Sequence, residues 1–323
     1  MATGNSSYTR IITQTLQNHG TEIFNAVAQN NAFLYMLQKR ENIKIVRGGR
    51  TFTHPIRFAN NASFKMYGKL DPIDTPIPDN LTRAEYQIKV AAGSLVISTL
   101  EEAQNSGDRE KLIDLIEFCR MDAEDSMANL LGAQVFATGT NSNDFGGLAL
   151  LINSSPSTQS DVGGIDPSTS GNTYWRNIVG SPVTAFNTSN EGVTAMNALM
   201  TLATFGRFGP TAVFTTKTVY NLYELSMTSN IRYQSTELST GDTKFLHLAY
   251  GTLPVLFDDN CTTDVLYMVD MDSLWLQVLA QGNNRITSFE PSHNQLSRTA
   301  LMYLFGNLTC GSRRTQGYLS VTG

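Results

Sequence analysis

Side chains that carry chemistry are scarce in this sequence. Three cysteines, Cys119, Cys261 and Cys310, are scattered over 323 residues. An odd, dispersed set argues against a disulfide framework and for packed thiols in a reducing compartment. Four histidines, His19, His54, His247 and His293, form no His-x-x-x-His pair, and no Cys-x-x-Cys occurs. The clustered ligands of a transition-metal site are therefore missing. There is no GxGxxG or GxxxxGK loop to cradle phosphate and no GxSxG nucleophile elbow. Asp144-Phe145-Gly146 spells a kinase triplet, but no kinase catalytic loop or glycine-rich loop accompanies it. Charged residues make up only 16%, and a net charge of −5 gives no bulk attraction to nucleic acid or anionic membrane. No apolar run approaches the roughly 20 residues that span a bilayer. The start, Met-Ala-Thr-Gly-Asn-Ser-Ser, lacks the basic and apolar regions of a secretory signal. Together these absences predict a soluble intracellular protein without metal or cofactor and without a catalytic centre.

What remains is length and pattern. A chain of 323 residues, 41% of them hydrophobic, is long enough for one large domain or two interlocked ones. Residues 8–38 carry Ile11, Ile12, Leu16, Ile23, Phe24, Val27, Phe33, Leu34 and Leu37 at mixed three-to-four spacing, which predicts one or two short amphipathic helices. From 43 to 58, β-branched residues alternate with Arg47, Arg50 and Arg57 around Gly48-Gly49, as in a hairpin or extended arm. Pro55, Pro72, Pro76 and Pro78 then exclude helix and central strand. Alternation resumes at 86–100. Leu112, Leu115, Ile116, Cys119, Ala123, Met127 and Leu130 next repeat at helical spacing after a cap at Ser106-Gly107-Asp108. Run on to 137, that helix would be about 45 Å long. Helices are also predicted at 191–205 and 219–227, and short strands after Pro210 and at 253–259 and 264–270. A last long strand at 299–321 is expected to break at Gly306 and at Gly311-Ser312. Trp175 and Trp275 read as packing residues whose indole N–H finds an acceptor. The class is α+β.

Charge is polarised along the chain. Lys39, Arg40, Lys44, Arg47, Arg50, Arg57, Lys65 and Lys69 face one acid, Glu41, in residues 39–69, whereas residues 101–126 hold nine acids against Arg109, Lys111 and Arg120. Acids this dense along one helix repel unless something positive covers them. A proline-braced basic arm beside an acidic helix suggests that the arm of one copy reaches the helix of another. The interface candidates are Arg47, Arg50, Arg57, Lys65 and Lys69 on the arm, and Asp114, Glu117, Asp122, Glu124 and Asp125 on the helix. An exposed ion pair contributes only ~0–1 kcal/mol. Apolar burial of the N-terminal segment, through Phe24, Phe33 and Leu37, is expected to supply most of the binding, with the charges setting registry.

The order of elements resembles the Hong Kong 97-type fold of tailed-phage major capsid proteins: arm, extended hairpin loop, spine helix, apical domain, returning strand. LLGAQVFATGT followed by FGGLALLI is similar to the family's helix-to-loop passage, as are VGGID and TYWRNI to a segment of these coat proteins. NLYELSMTSNIRY through YGTLPVLFDD, and the closing SRRTQGYLSVTG, also resemble family segments. The resemblance implies an N-terminal arm at 1–47, an extended loop at 48–90 and a peripheral domain at 91–185 with its spine helix at 106–137. It further implies an axial α/β domain at 186–284 and a return strand of the peripheral domain at 285–323. The implied function is a shell of homo-hexamers and homo-pentamers enclosing DNA without sequence-specific binding, assembled in the host cytoplasm. Partners would be a separate scaffolding protein, a portal and a decoration protein. Some members cross-link a loop lysine to a neighbour's Asn with a Glu as base. Lys65 and Lys69 could supply the amine, but no acid follows Glu290, so no isopeptide bond is expected. Alternatives are a cellular nanocompartment shell of the same fold, or an α/β metal-dependent hydrolase built on Asp258, Asp259, Asp264, Asp270 and Asp272.

Overall fold

The computed structural model describes residues 31–73, 75, 77, 79–105, 109–186, 190–227 and 248–322; within these, side chains 102, 104, 105, 109–116 and 227 are left undescribed. The chain opens with helix α1 (Ala32–Lys39), strand β1 (Ile43–Val46) and a hairpin of β2 (Thr51–Arg57) and β3 (Leu81–Gln87). Strand β4 (Lys89–Ser98) leads into helices α2 (Thr99–Asn105) and α3 (Arg109–Val135). A loop-rich passage to residue 177 precedes β5 (Ile178–Val179), helix α4 (Glu191–Ala203), β6 (Ala212–Thr215) and helix α5 (Lys217–Met227). Strands β7 (Leu248–Tyr250), β8 (Leu253–Phe257), β9 (Val265–Val269) and β10 (Leu274–Leu279) follow, then β11 (Arg285–Ile286), β12 (Glu290–Pro291), β13 (Ser297–Cys310) and β14 (Gly317–Ser320).

Two six-stranded sheets organise these elements. In the first, β13 is the hub: it pairs antiparallel with β4, β10, β11 and β12, and β10 pairs in parallel with β1. The second runs β5-β14-β9-β6-β8-β7. Every residue of β6 and β9 is buried. Continuous apolar runs of this kind belong to strands covered on both faces. On one face Val213, Val255, Leu266, Met268 and Leu319 pack with Met196 and Leu199 of α4 and Tyr223 of α5. On the other, Phe214, Leu256, Tyr267 and Val269 join the larger core with α1 and the first sheet. Phe33 of α1 is the meeting point, edge-on to Phe214 at 5.0 Å and to Phe136 at 5.8 Å.

Helix α3 follows from the periodicity of its sequence: Met127, Leu131 and Val135 lie on one buried stripe. Its 27 residues extend roughly 40 Å. Gly147 sits against its end, where a Cβ would lie 2.4 Å from the Ala137 nitrogen, so only glycine lets the following turn close on the helix.

Two expectations for the last long strand change. The last long strand passes straight through Gly306. This glycine is there because a Cβ would meet the Gln277 carbonyl at 2.8 Å across the sheet. After Gly311 the chain leaves the first sheet, and β14 lies between β5 and β9 of the second one. Strand β10, by contrast, pairs with β1 and β13 in the first sheet. The cap expected at 106–108 and most of the N-terminal amphipathic segment lie outside the described residues.

Phe33→Ala should cost about 3–5 kcal/mol of unfolding free energy, because it empties the contact shared by both sheets. Denaturant unfolding of the unassembled subunit measures it, and a loss below about 1 kcal/mol would show that α1 is not part of the core.

Candidate assembly interface

The hairpin β2–β3 stands apart as a two-stranded sheet of its own, and its root is pinned to the first sheet. Phe52 and His54 point inward while Thr53, Pro55 and Arg57 are exposed, as strand alternation requires. The His54 ring stacks on Trp275 with centroids 4.9 Å apart and planes at 17°. Its Nε2 is 3.0 Å from Thr309 Oγ1 and accepts from the Gln277 amide at 2.9 Å. On β3, the Tyr86 hydroxyl donates to the Cys310 carbonyl at 3.0 Å. Lys44 lies 4.0 Å from the Trp275 ring centroid. Burial, and secondarily the Lys44 charge, lowers His54 from 6.5 to about 4, so the ring is neutral at pH 7.

Beyond the paired strands, the described residues between 58 and 80 form the tip. Phe58 stacks on Tyr174 at 5.2 Å. Past it, Phe64, Met66, Leu70 and Ile77 are 87%, 101%, 93% and 96% exposed. Local polar bonds shape this stretch: Tyr67 donates to the Ser63 carbonyl at 2.8 Å, and the Gly68 N–H donates to Asp71 at 2.7 Å. Arg47 and Arg50 are exposed in the turn before β2. Arg57 donates to the Ala59 carbonyl and to Asn60 Oδ1. Lys65 lies 5.3 Å from the Tyr67 ring centroid, and Lys69 is exposed.

On α3, Glu117, Asp122, Glu124 and Asp125 are all exposed, and Glu124 accepts a salt bridge from Arg120 at 3.3 Å. Asp114 lies on the same helix, but its side chain is outside those described. A cavity of about 360 Å³ runs between α3 and β4, lined by Phe118, Cys119, Asp122, Ala123, Met127 and Leu130 among others. Its mostly apolar lining thus includes one acid, Asp122. The two phenylalanines assigned to the interface separate from this set. Phe24 is outside the described residues, and Phe33 is fully buried in the subunit's own core. The apolar residues of the hairpin tip were not singled out by the sequence reading. Their signal was the recurrence of Phe64, Met66, Leu70, Ile73 and Ile77 in a stretch too rich in proline to fold into a core.

Two of the acids offered for a hydrolase, Asp258 and Asp270, are committed to hydrogen bonds within the fold. Asp258 is buried, accepts from the Phe33 N–H at 3.0 Å at the start of α1, and accepts from the Asn260 N–H at 3.0 Å. Burial pushes it up to about 6. Asp270 accepts from Thr315 Oγ1 at 2.8 Å and from the Asp272 N–H at 3.1 Å. Among the described residues, no three His, Cys, Asp or Glu side chains converge as metal ligands. Trp175 is buried and donates to the Val162 carbonyl at 2.8 Å. Among the three thiols, Cys261 and Cys310 are buried and Cys119 is half-buried.

No family model and no curated protein matches the chain. Solved structures do. A chain of the cyanophage A-1(L) capsid asymmetric unit superposes with a TM-score of 0.68 at 14% identity, covering 94% of this chain and 96% of that one. The capsid of a native GTA particle gives 0.60 at 13% identity, covering 94% and 95%. The SrpI encapsulin complex of Synechococcus elongatus PCC 7942 gives 0.59 at 9% identity, covering 96% and 94%. The fold is therefore that of self-assembling shell proteins, and specifically the Hong Kong 97-type capsid fold.

His54 gives a pH test of the hairpin root. Its pKa is lower in the folded state than in the unfolded chain, so the unfolded state takes up a proton first as pH falls. The stability due to the neutral ring is complete above about 6.5, declines between about 6.5 and 4, and changes no further below that. The stability advantage of the natural protein over His54→Gln should shrink across that window in paired denaturant titrations. An advantage independent of pH would mean that the ring is not held neutral.

Proposed function

We propose that this chain is the major capsid protein of a tailed bacteriophage, a structural subunit and not an enzyme. It self-assembles into the hexamers and pentamers of an icosahedral shell around double-stranded DNA. The observation that carries this reading is the hairpin tip, where Phe64, Met66, Leu70 and Ile77 are exposed beyond the root of a two-stranded arm among the described residues. Burying each such side chain is worth about 1.5–3 kcal/mol, far more than an exposed ion pair. The receiving surface is the groove between α3 and β4 of another copy. Its rim acids, Asp122 with Glu117, Glu124 and Asp125 nearby, meet Arg47, Arg50, Arg57, Lys65 and Lys69 and set the register of docking. Apolar residues thus supply the binding, as in the sequence-based reading, but from the hairpin tip in place of the N-terminal segment.

Bulk charge of −5 suits a container that holds DNA without gripping it. A scaffolding protein, a portal and a decoration protein complete the expected set of partners, with assembly in the host cytoplasm and final residence in the virion. The likeness to an encapsulin supports a second reading, a cellular nanocompartment; shells purified with enzyme cargo in place of DNA would favour it.

Replacing Phe64, Met66 and Leu70 by Ser should leave subunit stability within about 0.5 kcal/mol of the natural protein and abolish shells in electron micrographs. Arg50→Glu, Arg57→Glu and Lys65→Glu together should leave a soluble subunit that does not close shells. Normal particles from both variants would refute the hairpin joint, and an untreated protein that stays solitary at every concentration and salt level would refute the shell.

A further inference from the structure

The hairpin tip changes the sign of its charge partway along. Residues 58–70 carry Lys65 and Lys69 and no acid, whereas residues 71–80 carry three acids and no base. In that second part Asp71, Pro72, Ile73, Ile77 and Asp79 are all exposed. The acid-bearing flank of α3 suits the first part and repels the second. A surface of the opposite character lies elsewhere on the subunit. A cavity of about 880 Å³ is lined by Phe58, Tyr174, Val179, Leu202, Arg176 and Arg314 among others. Beside it, the Arg314 guanidinium stands 4.0 Å from the Phe205 ring centroid, and that of Arg207 stands 5.0 Å from Phe208. Leu202, Phe205 and Phe208 are each more than half exposed. Arg176 donates to the Pro167 and Ser168 carbonyls and acts on Asp166, so the positive character rests on Arg207 and Arg314. Among the described residues, neither of these two is in an ion pair.

We propose that this groove, between the start of the hairpin tip and the C-terminal end of α4, receives residues 71–79 of the hairpin tip of a second copy. The inference rests on the shell reading for its occupant, and adds a second socket for the part of the tip that the α3 acids repel. Ile73 and Ile77 cover Leu202, Phe205 and Phe208, while Asp71 and Asp79 approach Arg207 and Arg314. Prolines precede Ile73 and flank Ile77, which limits the freedom the segment loses on docking. Proline-rich segments settle on aromatic-lined grooves for this reason. The subunit's own hairpin already meets one wall through Phe58 on Tyr174, and its own residues 71–73 stand exposed, so the occupant comes from another copy. Exposed aromatics beside arginines also suit single-stranded nucleic acid. Val179 and Leu202, however, give bases nothing to stack on and match isoleucine.

A fluorophore-labelled synthetic peptide of residues 70–80 tests the groove on the purified full-length subunit before assembly. Anisotropy should show saturable binding that weakens about tenfold or more in Arg207→Glu with Arg314→Glu, and likewise when the peptide carries Asp71→Lys and Asp79→Lys. Both arginines are exposed, and the peptide variant leaves the fold untouched. In assembled particles, Ile73→Cys with Leu202→Cys, treated with a mild oxidant, should give a ladder of disulfide-linked multimers on non-reducing gels. The proposal is overturned by no saturable binding up to about 1 mM peptide, by binding indifferent to both charge reversals, or by displacement of the peptide with equimolar oligothymidine. A disulfide confined to one chain overturns it as well. Normal particles without the cross-link remove this socket and leave the shell reading intact. A subunit that never forms particles refutes the shell reading, and the peptide measurement still decides the groove.

Discussion

A ribbon two strands wide has no interior. Whatever apolar side chains it carries past its root cannot be buried by the ribbon itself, and the tip at residues 58–80 carries several. That one constraint organises the molecule around it. The root is fixed by the stack of His54 on Trp275 and by the bond from Tyr86 to Cys310, so the tip is presented on a firm base. In the proposed joint, the arginines and lysines along the ribbon would be too weakly coupled to hold a neighbour alone and would act by disfavouring wrong registers. Weak, directional charge combined with strong, undirected apolar attraction is a combination that lets misplaced subunits detach and try again.

The body that carries the ribbon draws its rigidity from sharing. Phe33 touches both Phe136, next to α3, and Phe214, in the second sheet, and Asp258 holds the start of the helix bearing Phe33. Asn307 links three separate parts of the chain, accepting from the Gly146 N–H and donating to the Gln87 carbonyl at the end of the ribbon. A strain at the ribbon's root is therefore felt in the packed core and not absorbed in a loose loop.

Much of this was legible in the sequence, for reasons that can be located. Helix α3 announced itself because its apolar stripe keeps a helical period, and the ribbon because prolines and glycines surround alternating β-branched residues. Membership of a sheet was not legible. Leu274 to Leu279 and Val265 to Val269 are both short apolar runs, and nothing local says that the first joins β13 while the second joins β6. Gly306 misled for a related reason: the neighbour that demands a glycine there is the Gln277 carbonyl, 29 residues earlier in the chain. His54 looked like one of four stray histidines because Gln277 and Thr309, its partners, come more than two hundred residues later. The charge split is legible in the sequence as two oppositely charged segments, while the burial of Phe33 in the subunit's own core is not.

The position of β13 and β14 in the chain has a consequence for synthesis. One sheet has its hub at residues 297–310 and the other receives an inner strand at 317–320, so neither is complete while the first three hundred residues are leaving the ribosome. The adhesive ribbon is among the earliest parts made, and the groove proposed to receive it, bounded by β4 on its β13 hub, is among the last to be finished. If the proposed joint forms, nascent chains on neighbouring ribosomes would carry the plug without a finished socket, and this translational delay would hold polymerisation back until whole subunits have been released.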